Sequence, residues 1–303
     1  MAGVINTSLH PKALWPGVKA WWGKEYDDHQ TEYTDLFDSF TSEKAYEEDV
    51  KLVGFGLVPQ KPQGAAVTYD SEVQGFITRY THVAYAMGYI VTHEELKDNL
   101  YSEVSNTRAS SLARGFRQTK ERVAAGIYNN AFDANYVGGD GVSLLNAAHP
   151  NVSGGTFSNV LSVAADLSEQ AIEDLATQIM EAKDDRGLLI NLMGQSLHVA
   201  PANWWEAHRI FGSVFQTGNA NNDINVVKAL NVFPKGIKLN HYFSDPSAWF
   251  VRTNVSNGLK YYEREAITFD QDNDFDTMNA KAKGFERYSF GWTDPLALFG
   301  STV

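Results

Sequence analysis

Apolar residues along this chain fall on two periods, and the switch between them marks its parts. From Lys51, Val53, Phe55 and Leu57 alternate with other residues, and after a gap Val67, Tyr69, Val73 and Ile77 lie at the spacing of a strand. The pattern predicts a two-stranded ribbon. Its tip, Pro59-Gln60-Lys61-Pro62-Gln63-Gly64, has the proline and glycine of a broad reversal and no large apolar group. A ribbon of this kind is marginal alone in water, so it is expected to lie on another surface. Val83, Tyr85, Met87, Tyr89 and Val91 alternate with Ala84, Ala86 and Gly88, continuing the strand with one bulky face and one close-packed face.

The period then becomes helical. Thr92-His93-Glu94-Glu95 fits a capping box flanked by a Val91 to Leu96 staple. Leu96, Leu100, Val104, Leu112, Phe116, Val123 and Ile127 trace one stripe, predicting a helix from Thr92 to Phe132. About 40 residues would span roughly 60 Å, against a diameter of roughly 50 Å for a globule of this size. The subunit is therefore expected to be elongated. Ser105 to Thr107, Ser110, Ser111 and Gly115 are weak helix formers where a bend is expected.

Glycine-rich loops surround His149-Pro150, and a second helix starts at Ser168, with Leu167 and Ile172 as its staple. Strands are predicted at 188–192 and 197–200, then a helix from Pro201 to about Phe211. Further strands are predicted at 226–233, 249–253, 259–269 and 285–292. Residues 1 to about 45 mix Trp15, Trp21, Trp22 and Phe37 with many charges, as in an arm that needs a partner surface. The fold class is α+β with a discontinuous domain.

Composition narrows the function. Of 303 residues 43% are hydrophobic, enough for a real core, and the net charge of −12 opposes sequence-specific DNA binding. With no cysteine there are no disulfides, thiolate catalysis or thiolate metal sites. The N-terminus has neither the basic start nor the apolar run of a signal peptide, and the longest uncharged stretch, 187–205, carries too many polar groups to cross a membrane.

Candidate chemistry is sparse. No HExxH occurs, and His198 and His208 flank a helix without a clear third metal ligand. Asp270, Asp272, Asp274 and Asp276 resemble half of a calcium loop, but Phe275 stands at the glycine position and Lys281 at the bidentate Glu position, leaving only a weak cation candidate. Gly194-Gln195-Ser196-Leu197-His198 approaches a nucleophile elbow without its last glycine, so a serine or metal-dependent hydrolase is a distant alternative. No phosphate-binding glycine motif is complete, and no cofactor is expected. The basic run Arg108, Arg114, Arg117, Lys120 and Arg122 reads as a solvated or intersubunit face.

The order of parts, with Asp140-Gly141, His149-Pro150, Thr156-Phe157-Ser158-Asn159, Leu197-His198-Val199-Ala200-Pro201-Ala202, Asp245-Pro246-Ser247-Ala248-Trp249-Phe250 and Phe285 through Pro295, resembles the major capsid proteins of tailed bacteriophages with the Hong Kong 97 fold, near the Mu-like head subunits. The resemblance implies an N-terminal arm at 1–45 and an extended loop at 46–92. It implies a peripheral domain with a spine helix at 93–154 and 259–292, and an axial domain at 155–258 and 293–303. It also implies a structural subunit, not an enzyme, that assembles with itself as pentamers and hexamers around double-stranded DNA. A separate scaffolding protein, a portal and a decoration protein are the further partners implied, with assembly in the host cytoplasm and no membrane partner. An encapsulin-like compartment is the alternative. The expected assembly surface comprises Trp15, Trp21, Trp22, Lys61, Pro62, Gln63, Gly64, Arg114 and Arg117, and Lys61 with Asn273 is a possible covalent crosslink pair by analogy with the type member.

Overall fold

The computed structural model describes Trp22, Tyr26 and residues 30–94, 101–216, 223–274 and 276–303. Trp15 and Trp21 of the expected arm, with Glu95, Leu96 and Leu100 of the expected capping box and stripe, lie outside the described residues.

Strands β1 (Asp38–Thr41), β2 (Tyr46–Val53), β3 (Val73–Thr81) and β4 (Val83–Val91) precede the long helix Tyr101–Asn129. After it come β5 (His149–Pro150), β6 (Thr156–Phe157), β7 (Gly194–Val199), β8 (Ile237–Leu239), β9 (Trp249–Thr253), β10 (Leu259–Asn273), β11 (Ala280–Trp292) and β12 (Leu298–Ser301). One four-stranded sheet has the order β1-β10-β11-β4 and a second the order β12-β9-β7-β8. The β2 and β3 strands pair only with each other, as a ribbon.

The long helix lies on the first sheet. It is helical without a break through Gly115, where a bend is expected from the sequence. Small residues explain the fit: Ala109, Ala113, Ala124 and Ala125 are fully buried and let helix and sheet approach closely, while Val123 and Ile127 of the expected stripe are only partly covered. Gly284 on β11 is needed for the same reason, since a β-carbon there would lie 2.5 Å from the Phe116 ring. The helix ends at Asn129, before the expected Phe132, and the Asn130 side-chain amide donates to the Gly126 carbonyl at 2.8 Å.

The second sheet packs against the helices Glu169–Met180 and Trp204–Gly212. The Ser168 cap forms as expected, its hydroxyl accepting from the Ala171 amide at 3.2 Å, with Leu167 and Ile172 buried. Strand β9 joins two cores. Trp249 and Val251 face the helices, whereas Phe250 packs with Tyr128 at the end of the long helix.

Several expectations are corrected. Residues 188–192 form no strand, because Asp184 Oδ1 accepts the amides of Arg186 and Leu188 and folds the chain into a turn through Gly187 at φ 81°. Residues 226–229 are a short helix, capped by Asn225, which accepts from the Lys228 amide. Part of the arm belongs to the body. Leu36 and Phe37 are core residues, β1 pairs in parallel with β10, and Tyr128 and Arg252 donate to the Leu36 and Asp35 carbonyls. Strand β4, expected as a continuation of the ribbon, pairs instead with β11; the chain changes sheets at His82. No helix among the described residues is long and apolar enough to cross a membrane.

Candidate assembly surface

The ribbon turns ion-paired charges inward beside the buried Val53 and Tyr80. Alternation sends Glu47, Asp49 and Lys51 of β2 toward the rest of the subunit. Asp49 pairs with Lys260 of β10 and accepts the Thr293 hydroxyl at 2.6 Å. Lys51 reaches Asp185 at 3.1 Å and Asp294 at 3.3 Å. Burial pulls the Lys51 ammonium down, but Asp294 and Asp185 outweigh it and hold the pKa above its ordinary value. A register shift between Val50 and Leu52 puts one extra residue on β3 opposite Lys51. Gly75 sits opposite it, and a β-carbon there would meet the Lys51 carbonyl at 2.5 Å.

The outward face mixes apolar residues with the exposed Glu48 and Arg79, which stand opposite each other. Leu52, Val73 and Ile77 are exposed on the paired strands, and Phe55, Leu57, Val58, Val67 and Tyr69 are exposed beyond them, Leu57 to 82% and Tyr69 to 90%. Large apolar side chains left this exposed are candidates for contact with another molecule. The far part of the ribbon is also fixed in direction: Asp70 accepts the Gly56 amide at 2.8 Å and pairs with Arg186 at 2.7 Å, and Arg186 donates to the Ser71 carbonyl. The amides of Gly56 and Ser71, then Arg186, hold the Asp70 carboxyl below its usual range. At the tip Lys61, Pro62, Gln63 and Gly64 are all exposed, with a turn closed by the Ala65 amide on the Pro62 carbonyl.

Other expected interface residues are placed differently. Trp22 is buried within its own subunit, stacked on Phe269 at 5.2 Å and Tyr26 at 5.5 Å. Arg114 is exposed, but Arg117 is buried, its guanidinium 4.1 Å over the Tyr26 ring and donating to the Tyr26 carbonyl. The basic run is therefore split by helical periodicity. Lys120 also turns inward, paired with Glu286 at 2.7 Å and 5.0 Å from the centre of the Tyr288 ring. Beside it the buried Glu121 carboxylate accepts the backbone amides of Glu32 and Tyr33 at 3.0 and 2.9 Å.

The acidic hairpin carries its own counter-charges. Register places Asp270 opposite Lys283 and Asp272 opposite Lys281, and Lys281 reaches Asp274 at 2.7 Å. Hydrogen bonding from Lys281 holds Asp274 below the usual carboxylate range. The Asp276 amide donates to Asp274, and no cluster among the described residues could hold a metal ion. Ser196 and His198 do meet, at 2.9 Å, but both are buried in β7, so no substrate reaches the serine. Burial, with Arg252, Lys238 and Lys235 nearby, pushes His198 down to about 3. His208 packs edge-on against Trp204.

The scattered sequence matches around residue 150 converge on a joint. Asn159 donates to the carbonyls of Leu144, Pro295 and Leu298 and accepts the Asn146 amide, while His149 bridges Asn159 at 3.1 Å and Asp140 at 2.6 Å. These residues tie the glycine loop to the C-terminal segment. No periodicity signals this; only their order along the chain does.

A family model described as "Phage capsid protein" matches residues 76–300. No curated protein sequence matches. Among solved structures, the chain is similar to a virus-like particle from Pyrococcus furiosus, at 12% identity and a TM-score of 0.52 over 94% of this chain and 97% of that one. It is similar to Microbacterium phage Oxtober96, at 10% identity and 0.54 over 90% and 91%, and to the capsid of Myoviridae phage XM1, at 13% and 0.51 over 100% and 99%.

Proposed function

Because the chain belongs to the phage capsid protein family and has a Hong Kong 97-like fold, we propose that its activity is self-assembly, as pentamers and hexamers, into an icosahedral head that encloses double-stranded DNA. The observation that carries this reading is the ribbon, which turns Asp49 and Lys51 toward its own subunit and exposes Leu52, Val73 and Ile77, with further apolar residues beyond the paired strands. A neighbouring copy covers that side. Repetition of one modest contact around a closed shell supplies the stability that a single contact lacks. The net charge of −12 suits a container that holds DNA without binding it tightly.

In this reading the first sheet with the long helix is the peripheral part, the second sheet with its helices is the axial part, and Lys61, Pro62, Gln63, Gly64 and Arg114 lie at contacts between copies. A separate scaffolding protein, a portal and a decoration protein complete the head, which assembles in the host cytoplasm. Negative-stain microscopy of the purified protein tests it. Uniform hollow shells are expected, and a monodisperse monomer under all assembly conditions would sink the proposal. Shells purified from cells should contain DNA; shells filled with an enzyme would favour a cellular compartment instead.

A further inference from the structure

Glu32 is held from two sides. Its backbone amide and that of Tyr33 donate to the two carboxylate oxygens of Glu121 on the long helix, at 3.0 and 2.9 Å. Its own side chain turns the other way, to the loop after β8, where it accepts the His241 amide at 2.8 Å and meets the His241 imidazole. Glu32 does not cap the short helix Tyr33–Leu36 with its side chain, so Glu121 serves its first amides from a distant part of the chain.

The two sides differ in exposure. Glu121 is only 1% exposed, whereas the His241 side chain is 63% exposed. Burial raises the Glu121 carboxyl to about 7, against the pull of the Glu32 and Tyr33 amides; the Glu32 carboxylate adds to the rise and Arg117 opposes it. On the loop, Tyr242 lies within reach of Glu121, Glu32 and Arg122. On the first sheet, the Tyr33 ring packs edge-on against Tyr261, whose hydroxyl donates to Glu263. From Asp35 onward the segment is anchored separately: Asp35 pairs with Lys238 at 3.1 Å, its carbonyl accepts from Arg252, and Leu36 and Phe37 lie in the core.

We propose that Glu32 and Glu121 form a pH-operated clasp, closed while Glu121 is protonated and His241 is charged, and opened when Glu121 ionises beside the Glu32 carboxylate and His241 loses its charge. Neighbouring carboxylates resist joint ionisation, and opening gives the Glu121 carboxylate water. The closed state holds the Glu121 proton more tightly than an exposed carboxyl would. The clasp is therefore complete below about 4.5 and is lost as pH rises through about 7. Histidine changes charge near neutrality, in the same sense. Opening frees residues 30–34 and removes one tie between the long helix and the loop, while the tie from Asn129 to Tyr242 and Ser244 remains. This is a property of the subunit and goes beyond the shell reading without depending on it.

Amide hydrogen exchange of the purified full chain, read by mass spectrometry and corrected for the intrinsic pH dependence of exchange, tests the clasp. Protection of peptides covering Glu32–Leu36 should fall about tenfold or more from pH 5 to pH 8. At pH 8 it should also lie well below the protection of β9, which is buried throughout. In Glu121→Gln, which carries no charge at either pH, the fall should shrink to about threefold or less. His241→Ala, at an exposed position, should reduce protection more at pH 5 than at pH 8. An equal fall in wild type and Glu121→Gln overturns the proposal, as does a larger loss for His241→Ala at pH 8. Should Glu121→Gln fail to fold, the wild type still decides: a flat profile, or protection at pH 8 equal to that of β9, overturns the clasp. None of these outcomes bears on whether the subunit forms shells.

Discussion

The second sheet and the ribbon are built on opposite plans. In the sheet, all five residues of β9 and all four of β12 are buried, and the apolar side chains find partners within one subunit. In the ribbon, Val53 and Tyr80 are buried, but Leu52, Phe55, Leu57, Val67, Val73 and Ile77 are exposed, while Asp49 and Lys51 are paired inward. The difference separates two sources of stability. The sheet holds the subunit together by removing apolar surface from water, whereas the ribbon is positioned by ion pairs and, on the proposed shell reading, its exposed apolar surface serves a contact made on assembly.

Substitution in the sheet should have the largest effect on the subunit itself. Trp249 is fully buried and its indole donates to the Ala165 carbonyl at 3.0 Å. Trp249→Ala should cost about 3–5 kcal/mol, measured as a fall in the urea midpoint of the unassembled subunit. A change below about 1 kcal/mol would mean that this core is not the main support.

Much of this contrast is legible in the sequence. The β9 strand, the β10 to β11 hairpin and the Ser168 helix have strong periods or caps and stand where expected. Residues 226–233 depart from expectation because a short apolar run does not distinguish strand from helix, and Asn225 decides it locally. The change of sheet at His82 is hidden because alternation runs through it without a turn signal. For the ribbon, alternation shows that two faces exist but not which one turns inward; that depends on Lys260, Asp294 and Asp185, far along the chain. Arg117 reads as outward because it is charged. The structure satisfies that charge with the Tyr26 ring and carbonyl, a partner nearly a hundred residues away.

A smaller effect separates inward charge in the body from inward charge in the ribbon. Burial pushes Glu121 from 4.5 up to about 7, opposed by the amides of Glu32 and Tyr33, reinforced by the Glu32 carboxylate and opposed again by Arg117. With its folded pKa raised, the group's stabilising contribution is complete below about 4.5 and is lost as pH rises through about 7. Between pH 5 and 8 this amounts to roughly 2–3 kcal/mol. Urea midpoints at the two values should therefore fall more for the wild type than for Glu121→Gln, and equal falls would remove Glu121 as the cause.

The smallest effect on the subunit should come from the ribbon's outer face, where the largest effect on assembly is expected. Leu57 is 82% exposed, so Leu57→Asp removes almost no buried contact and should leave subunit stability within about 0.5 kcal/mol of wild type. A neighbouring copy that covers this face would instead have to bury an unpaired carboxylate, which is strongly unfavourable in an apolar contact. Light scattering and microscopy should then show folded subunits that fail to form shells. If Leu57→Asp assembled as well as wild type, the apolar face would not be the contact surface; if it unfolded the subunit, the ribbon would be part of the core and the division between the two plans would be lost.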